Sequence, residues 1–226
     1  MEILKELDDE HRLIEDAMGS FVTLCHEITP ENFCEKRDDI EKFTVFFTGY
    51  LENFHFKKEE EILFQSFMNL GIPEDKGPLY YYILEHTEHV AFNKRILNYI
   101  DYDEITSEQQ KELIEISESL AAETWEHIDK EDSVLYAEVS DRIRGKNATA
   151  VKQLNREFNK TYDVKKYQTL GEELVKKYKP TDDLPDVIRG DGCMSCRHFG
   201  EGCDGIEHEW WSEHEWEDFY ARNNRD

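Results

Sequence analysis

Apolar residues recur at helical spacing along most of this chain. Glycine and proline, the residues that most often interrupt helices, are scarce before residue 180, and helix-forming residues dominate. The pattern predicts four long helices: about residues 2–27, a second from the break at 28–33 to about 69, then 78–100 and 106–144. A capping box in the segment TSEQ, with Thr106 or Ser107 as the cap, starts the fourth helix.

Two of the predicted helices carry charged residues inside their apolar stripes. The stripes recur at steps near 3.6 and consist of Phe43, Phe47, Leu51, His55, Glu59, Ile62 and Leu63 in the second helix, and of Ile116, Leu120, His127, Glu131 and Leu135 in the fourth. A polar residue on a core face costs free energy unless it is paired or binds a metal. His55 and Glu59 are therefore predicted to point inward, with Glu60 at their flank. The other charged residues of this run are predicted to face solvent: Lys57, Lys58 and Glu61.

Four long amphipathic segments joined by short turns predict an all-α protein, an antiparallel four-helix bundle over residues 1–145. Residues 146–180 predict one or two additional helices, interrupted near TYDV, that pack on the bundle. From Pro180 a stretch of Pro, Gly and Asp leads into an acidic segment rich in Cys, His and Trp. Residues 181–226 are therefore predicted to form a tail or a small metal-binding appendage.

The chain of 226 residues has a formal net charge of −25. Such a surface repels nucleic acids and anionic lipids, which argues against a role in binding either. No stretch approaches the ~18 apolar residues of a membrane span, and the first residues lack the apolar core of a signal peptide. A cytoplasmic protein that does not span a membrane is expected.

The segment HFKKEEEILF at 55–64 is echoed by HIDKEDSVLY at 127–136. Each has a His, an acid four residues later and a second acid after that. The helix before the first segment carries His11, and the helix before the second carries His86 and His89. A single His on an apolar face is more often an ordinary core residue, and a single HxxxE is more often a solvated pair. Two copies inside apolar stripes favour a metal site.

The candidate metal ligands are His11, His55, Glu59, His86, His89, His127 and Glu131. Imidazole and carboxylate together suit iron, manganese or zinc. A single zinc would be saturated by about four ligands, so this larger set fits two metals with Glu59 and Glu131 as bridges. His89 is either a ligand or a hydrogen-bonding neighbour of the ligands.

Four segments resemble the hemerythrin-like HHE cation-binding family: EHRLIEDAM (10–18), HFKKEEEILF (55–64), GPLYYYILEH (77–86) and HIDKEDSVLY (127–136). The resemblance covers about residues 1–178. It implies a non-haem di-iron centre inside a four-helix bundle, with two iron ions that an oxo or hydroxo group can bridge. The ligands it implies by matched position are His11, His55, Glu59, His86, His127 and Glu131. Oxygen carriers of the family have a fifth histidine, and His89 stands three residues from His86 rather than the usual four.

The tail offers a second candidate metal site. Its candidate ligands are Cys193, Cys196, Cys203 and His208, a Cys3His set that suits zinc or another structural metal. His198 or His214 could replace His208. Free thiols or a redox-active dithiol are the alternatives. Five cysteines in all, unevenly placed, argue against a disulfide framework.

Three functions are compatible with these expectations. The favoured one is a di-iron protein that binds or senses a small oxidant: dioxygen, peroxide or nitric oxide. The second is a di-iron redox enzyme, such as a peroxidase, an oxygen or nitric-oxide reductase or an iron–sulfur-cluster repair factor, that uses the tail cysteines and a redox partner protein. The third is a regulatory protein whose tail responds to metal or redox state.

Overall fold

A computed structural model describes residues 1–75 and 78–181 of the chain. Every regular element in this part is helical. The predicted tail site, Cys193, Cys196, Cys203 and His208, lies outside the described residues. None of the helices in the described ranges is long and apolar enough to cross a membrane.

Six helical runs follow one another along the described chain. Helix α1 is Glu2–Glu27; α2 is the continuous run of Phe33–Phe46, Phe47–Phe56, Glu59–Phe64 and Gln65–Met68; α3 is Pro78–Leu97 with a 3₁₀ turn at Asn98–Asp101; α4 is the continuous run of Ser107–Lys130, Glu131–Leu135 and Tyr136–Arg142; α5 is Gly145–Thr161; and α6 is Lys165–Lys177. These limits agree with the predicted ones to within a few residues. The segment for which one or two helices were expected forms two, separated at 162–164.

The helices pack as a bundle, with α1 mainly against α4 and α6, and α3 mainly against α4 and α2. Large side chains fill the space between them, including Phe21, Phe43, Phe47 and Trp125, which are all at most 1% exposed. Burying a side chain of this kind contributes roughly 1.5–3 kcal/mol relative to leaving it in water. The core of the bundle is therefore apolar, and a polar group buried in it is costly unless it has a hydrogen-bond, ionic or metal partner.

Local signals fix where α4 begins. Thr106 is the cap, since its hydroxyl accepts a hydrogen bond from the Gln109 backbone N–H at 3.2 Å, and the Gln109 side chain accepts one from the Thr106 N–H at 2.8 Å. This reciprocal pair satisfies two backbone donors that the first turn of a helix leaves free. Of the two caps left open by the sequence, the structure selects Thr106.

The core-facing residues of α2 are spaced by four residues rather than 3.6. The buried positions that follow one another at this interval are Phe43, Phe47, Leu51, His55, Glu59 and Leu63. On a regular α-helix each step of four turns the side chain about 40° past a full turn, so five steps would carry it roughly 200° around the helix. Two π-helical stretches, Phe47–Phe56 and Glu59–Phe64, have wider turns and keep these residues on the core face. The expected step near 3.6 is thus corrected to four in α2.

Helix α6 lies close to the bundle at two glycines. A Cβ at Gly49 would overlap the ring of Tyr167, and a Cβ at Gly171 would overlap the ring of Phe46. At the end of α6, Lys177 Nζ and Tyr178 Oη donate hydrogen bonds to Asp39 Oδ2 at 2.5 and 2.6 Å. Close backbone approach and a buried carboxylate therefore fix α6 against α2.

The substitution Gly49→Ala tests the close approach of α6. Alanine gains up to ~1 kcal/mol in helix propensity, but overpacking costs about 1–3 kcal/mol. We expect a net loss of about 1 kcal/mol in the free energy of unfolding by urea. In a Tyr167→Ala background the overlap is absent, so Gly49→Ala should there be stabilising. The same sign in both backgrounds would contradict this account of the contact.

Candidate metal centre

Four histidines meet in two facing pairs at the middle of the bundle. His11 Nε2 lies 3.1 Å from His55 Nε2, and His86 Nε2 lies 3.1 Å from His127 Nε2. All four side chains are at most 3% exposed. The first pair joins α1 to α2 and the second joins α3 to α4, so the two HxxxE segments occupy equivalent places.

Two buried carboxylates lie between the histidine pairs. Glu131 Oε2 is 3.2 Å from His11 Nε2, and its other oxygen, Oε1, is 3.4 Å from His127 Nε2. Glu59 Oε2 is 3.6 Å from His55 Nε2 and 3.5 Å from His86 Nε2. Each carboxylate thus faces both pairs, as a bridging ligand would.

The geometry defines two overlapping groups of possible ligands. They are His11, His55, Glu59 and Glu131 in the first, and Glu59, His86, His127 and Glu131 in the second. Within each group one ligand atom from every residue lies within 4.8 Å of the others. We call them the first and the second metal position. Six of the seven residues predicted from the sequence are brought together in this way.

Unpaired oxygen atoms show that a cation fits here. Glu59 Oε2 and both carboxylate oxygens of Glu131 are buried and have no hydrogen-bond partner among the described residues. An unsatisfied buried carboxylate oxygen is costly, and metal ions are one of the few partners that remove the cost. Imidazole nitrogens and carboxylate oxygens are the donor set of iron, manganese and zinc sites.

The helices deliver these ligands partly through their irregular turns. His55 is near the end of the first π-helical stretch of α2, and Glu59 begins the second. Glu131 begins the π-helical stretch of α4, directly after the α-helical segment that carries His127. Wider turns of this kind occur frequently at functional sites. Here they keep the His and the Glu of each HxxxE segment on the same inward face.

A carboxylate holds the outer nitrogen of every histidine. The Nδ1 atoms of His11, His55, His86 and His127 lie 2.8, 3.0, 2.7 and 2.7 Å from oxygens of Asp132, Glu10, Glu60 and Glu85, respectively. Such contacts place the proton on Nδ1, leave Nε2 free for a metal and fix the ring orientation. Glu60 therefore takes the flanking role predicted for it.

These four contacts form a closed ring around the bundle. The carboxylate on α4 holds the histidine of α1, and the one on α3 holds the histidine of α4. The carboxylate on α2 holds the histidine of α3, and the one on α1 holds the histidine of α2. We call this set the carboxylate ring. No helix orients its own histidine, so all four helices must be in place for the centre to form.

Three cations neutralise part of the carboxylate ring. Lys58 bonds to Glu10, Lys130 to Glu85 and Arg12 to Asp132. Lys58 is 1% exposed, so the prediction that it faces solvent was wrong. Six carboxylates then face three cations, which leaves three negative charges when all six carboxylates are ionised and the imidazoles are neutral. This excess favours the binding of multivalent cations.

The shifted pKa values reflect the crowded charges. Burial, followed by repulsion from Glu131, raises the pKa of Glu59 well above its usual value. Burial opposes the protonation of His11, but the hydrogen bond to Asp132 and the nearby negative charge of Glu131 outweigh it and raise the pKa of His11 to about 9. A metal at the first position must displace that proton, so its binding should weaken as the pH falls.

His89 lies beside the centre rather than in it. Its Nε2 is 3.2 Å from Thr124 Oγ1, and its ring packs against Phe56 and against His127. Its Nδ1 is buried and has no hydrogen-bond partner among the described residues. Of the two roles left open by the sequence, this position fits a neighbour of the ligands.

Aromatic rings cover the two positions unequally. Tyr136 stacks on His11, and Phe64 stacks on His86. The two rings occupy equivalent places, because each follows a shared carboxylate by five residues. Only the tyrosine brings a polar atom: its hydroxyl lies 3.2 Å from His11 Nε2 and 3.3 Å from Glu59 Oε1. The first position therefore has an extra oxygen close by.

The sequence analysis missed the supporting residues rather than the central ones. Glu10, Glu85, Asp132, Lys58, Lys130 and Tyr136 were not selected. The signal available was the echo itself, because EH at 10–11 recurs at 85–86, and Lys-Glu-acid at 58–60 recurs at 130–132. Residues adjacent to ligands and repeated with them were candidates for contacts across helices.

Comparison with known protein families gives a match. A family model described as Hemerythrin HHE cation binding domain matches residues 2–139. No curated protein and no solved structure was found to match the chain. The matched range contains both metal positions and the whole carboxylate ring.

The substitution Glu59→Gln should act differently on the metal-free and metal-loaded protein. A carboxyl group whose folded pKa is raised above the unfolded 4.5 loses its contribution to stability as the pH rises through the folded pKa. Glutamine has no such loss. We expect the metal-free variant to gain in unfolding free energy relative to the wild type as the pH increases above 4.5, measured by urea denaturation.

The same variant should lose the stabilisation that metal gives, since it lacks a bridging carboxylate. Glu61→Gln, an exposed position of the same helix, is the matched control and should resemble the wild type in both tests. If the unfolding free energy of the metal-free Glu59→Gln variant depended on pH as that of the wild type does, burial and Glu131 would not raise the pKa of Glu59.

Proposed function

This chain belongs to the family of hemerythrin HHE cation-binding domains, and on that premise we propose that it is a non-haem di-iron protein. It binds or senses a small oxidant, namely dioxygen, peroxide or nitric oxide. The observation that carries the proposal is the arrangement of two histidine pairs around two shared carboxylates. In this proposal α1 to α4 form the antiparallel four-helix bundle that surrounds the centre.

The number and type of donors support two irons rather than one zinc. A structural zinc is satisfied by about four ligands, whereas six donors converge here and two of them face both positions. Neutral imidazoles and bridging carboxylates suit iron in two oxidation states. Iron bound there would supply reversible one-electron chemistry and an open coordination position for a small molecule.

The residues beside the two positions differ in polarity. Phe56 stacks on His86 with ring centres 3.8 Å apart, and Phe64 covers the same ring from farther away. These rings present apolar surface beside the second position, which favours small uncharged ligands over anions. At the first position the Tyr136 hydroxyl can donate a hydrogen bond to an oxygen atom held near Glu59.

Metal analysis tests the proposal directly. Protein reconstituted with ferrous iron without oxygen should contain two irons per chain. Adding dioxygen, peroxide and nitric oxide in turn should change its visible absorption for at least one of them. Less than one iron per chain, or a spectrum that none of the three changes, would contradict the proposal.

Two histidine variants distinguish a ligand from its neighbour. His86→Ala removes a donor from the second position, so we expect about one iron to be lost, measured as iron per chain after gel filtration. His89→Ala removes a side chain of the same type three residues away and should keep both irons. Loss of iron in both variants to the same extent would make His89 a ligand.

A further inference from the structure

A lysine precedes each of the two shared carboxylates in the sequence. Lys58 stands before Glu59, and Lys130 stands before Glu131. Neighbouring residues on a helix point about 100° apart, so the lysine cannot share the inward direction of the glutamate. Each instead reaches sideways to the adjacent helix.

Lys58 is enclosed between α1 and α2. Its Nζ donates a hydrogen bond to Glu10 Oε1 and lies 3.7 Å from Glu6 Oε2 and 4.2 Å from the ring centre of Phe54. The other oxygen of Glu10, Oε2, is 3.0 Å from His55 Nδ1. A single carboxylate thus joins a buried ammonium group to a histidine of the first position.

Lys130 repeats this arrangement between α3 and α4. Its Nζ donates a hydrogen bond to Glu85 Oε1, and Glu85 Oε2 is 2.7 Å from His127 Nδ1. The Lys130 side chain is 23% exposed, compared with 1% for Lys58. The two lysines therefore share the contact with a histidine-bound carboxylate, in differently accessible surroundings.

Stability alone does not explain a buried lysine here. Taking an ammonium group out of water costs several kcal/mol, and a buried ion pair is often no more stabilising than apolar residues of similar volume. A lysine contact occurs at equivalent places in both halves of the bundle, each time with the carboxylate that is hydrogen-bonded to a histidine of the centre. This points to a role in the centre itself.

We propose that Lys58 and Lys130 are positioning residues of the metal centre. Each holds one oxygen of a carboxylate so that the other oxygen stays directed at the histidine, Glu10 at His55 and Glu85 at His127. An imidazole held by an oriented carboxylate is a better metal donor. The proposal rests on the proposed function only insofar as the centre must bind metal.

The arrangement makes the two histidines of each pair unequal. His55 and His127 have lysine-held carboxylates. The partner of His11 is held by Arg12, which is 53% exposed, and the Glu60 side chain beside His86 is itself 40% exposed. One histidine of each pair is thus fixed by a lysine, and the other has a partner nearer to solvent.

Cobalt(II) binding to the full, chelator-treated chain provides the test. The wild type should bind two ions. Lys58→Met keeps the apolar stem and removes the ammonium group, and we expect the affinity of one ion to fall about 10-fold, at the lower end of the range for groups that support metal ligands. Lys130→Met should weaken the other ion similarly. Lys58→Arg, which keeps a charged donor, should recover most of the affinity.

The matched control is Lys57→Met. Lys57 is the adjacent, partly exposed lysine on the same helix, and its substitution changes the net charge by the same amount. Its cobalt affinity should equal that of the wild type. The unfolding free energy of each metal-free variant, measured by urea denaturation, separates a loss of affinity from a loss of stability.

A purely structural role is distinguished by the NMR signals of the imidazole N–H groups in zinc-loaded protein with 15N-labelled histidine. Lys58→Met should shift or broaden the Nδ1–H signal of His55 and leave that of His127 unchanged, and Lys130→Met should do the reverse. If Lys58→Met does not fold, Lys130→Met, at the more accessible position, provides the test.

Unchanged cobalt affinities and unchanged N–H signals in the lysine variants would overturn the proposal for the lysines. Fewer than two ions bound by the wild type would instead overturn the proposed two-metal function, and that is known before any variant is made. The two failures are therefore distinguishable.

Discussion

The structure depends on a repulsion: Glu59 and Glu131 are brought together in a buried core, where solvent screens their charges little. Four imidazoles surround the two carboxylates, and four more carboxylates surround the imidazoles. Protonation of Glu59 or the binding of cations relieves this excess of negative charge. The protein supplies three at the periphery and leaves the middle to metal ions, so folding and metal binding share one electrostatic problem.

The bundle solves the geometric part of that problem by changing the pitch of its helices. A regular α-helix rotates residues spaced by four away from one face, and α2 uses this spacing from Phe43 to Leu63. Wider turns compensate for the drift. In α4 the interval from Thr124 to His127 is three, and a single π-helical stretch is enough. In each helix, the extent of π-helical structure thus matches the spacing of the buried residues along the sequence.

Much of this could be read from the sequence, for a physical reason. Helix limits follow from local signals such as Pro78 and Thr106, and the inward direction of His55 and Glu59 follows from the apolar residues around them. Contacts between helices follow from rotation and axial offset, which periodicity does not specify. The sequence shows the charge of Lys58, and we therefore predicted that it faces solvent. It does not show that the side chain contacts Glu10, 48 residues earlier.

The carboxylate ring also fixes the axial position of each helix relative to its neighbours. Sliding one helix by a single turn moves it about 5.4 Å, farther than any hydrogen bond stretches. Because every helix contributes one histidine and one carboxylate to the ring, such a slip breaks two of the four contacts at once, one with each of two neighbouring helices. Apolar side chains would accept several offsets. The ring accepts one, so the carboxylates that orient the imidazoles also select a single alignment of the bundle.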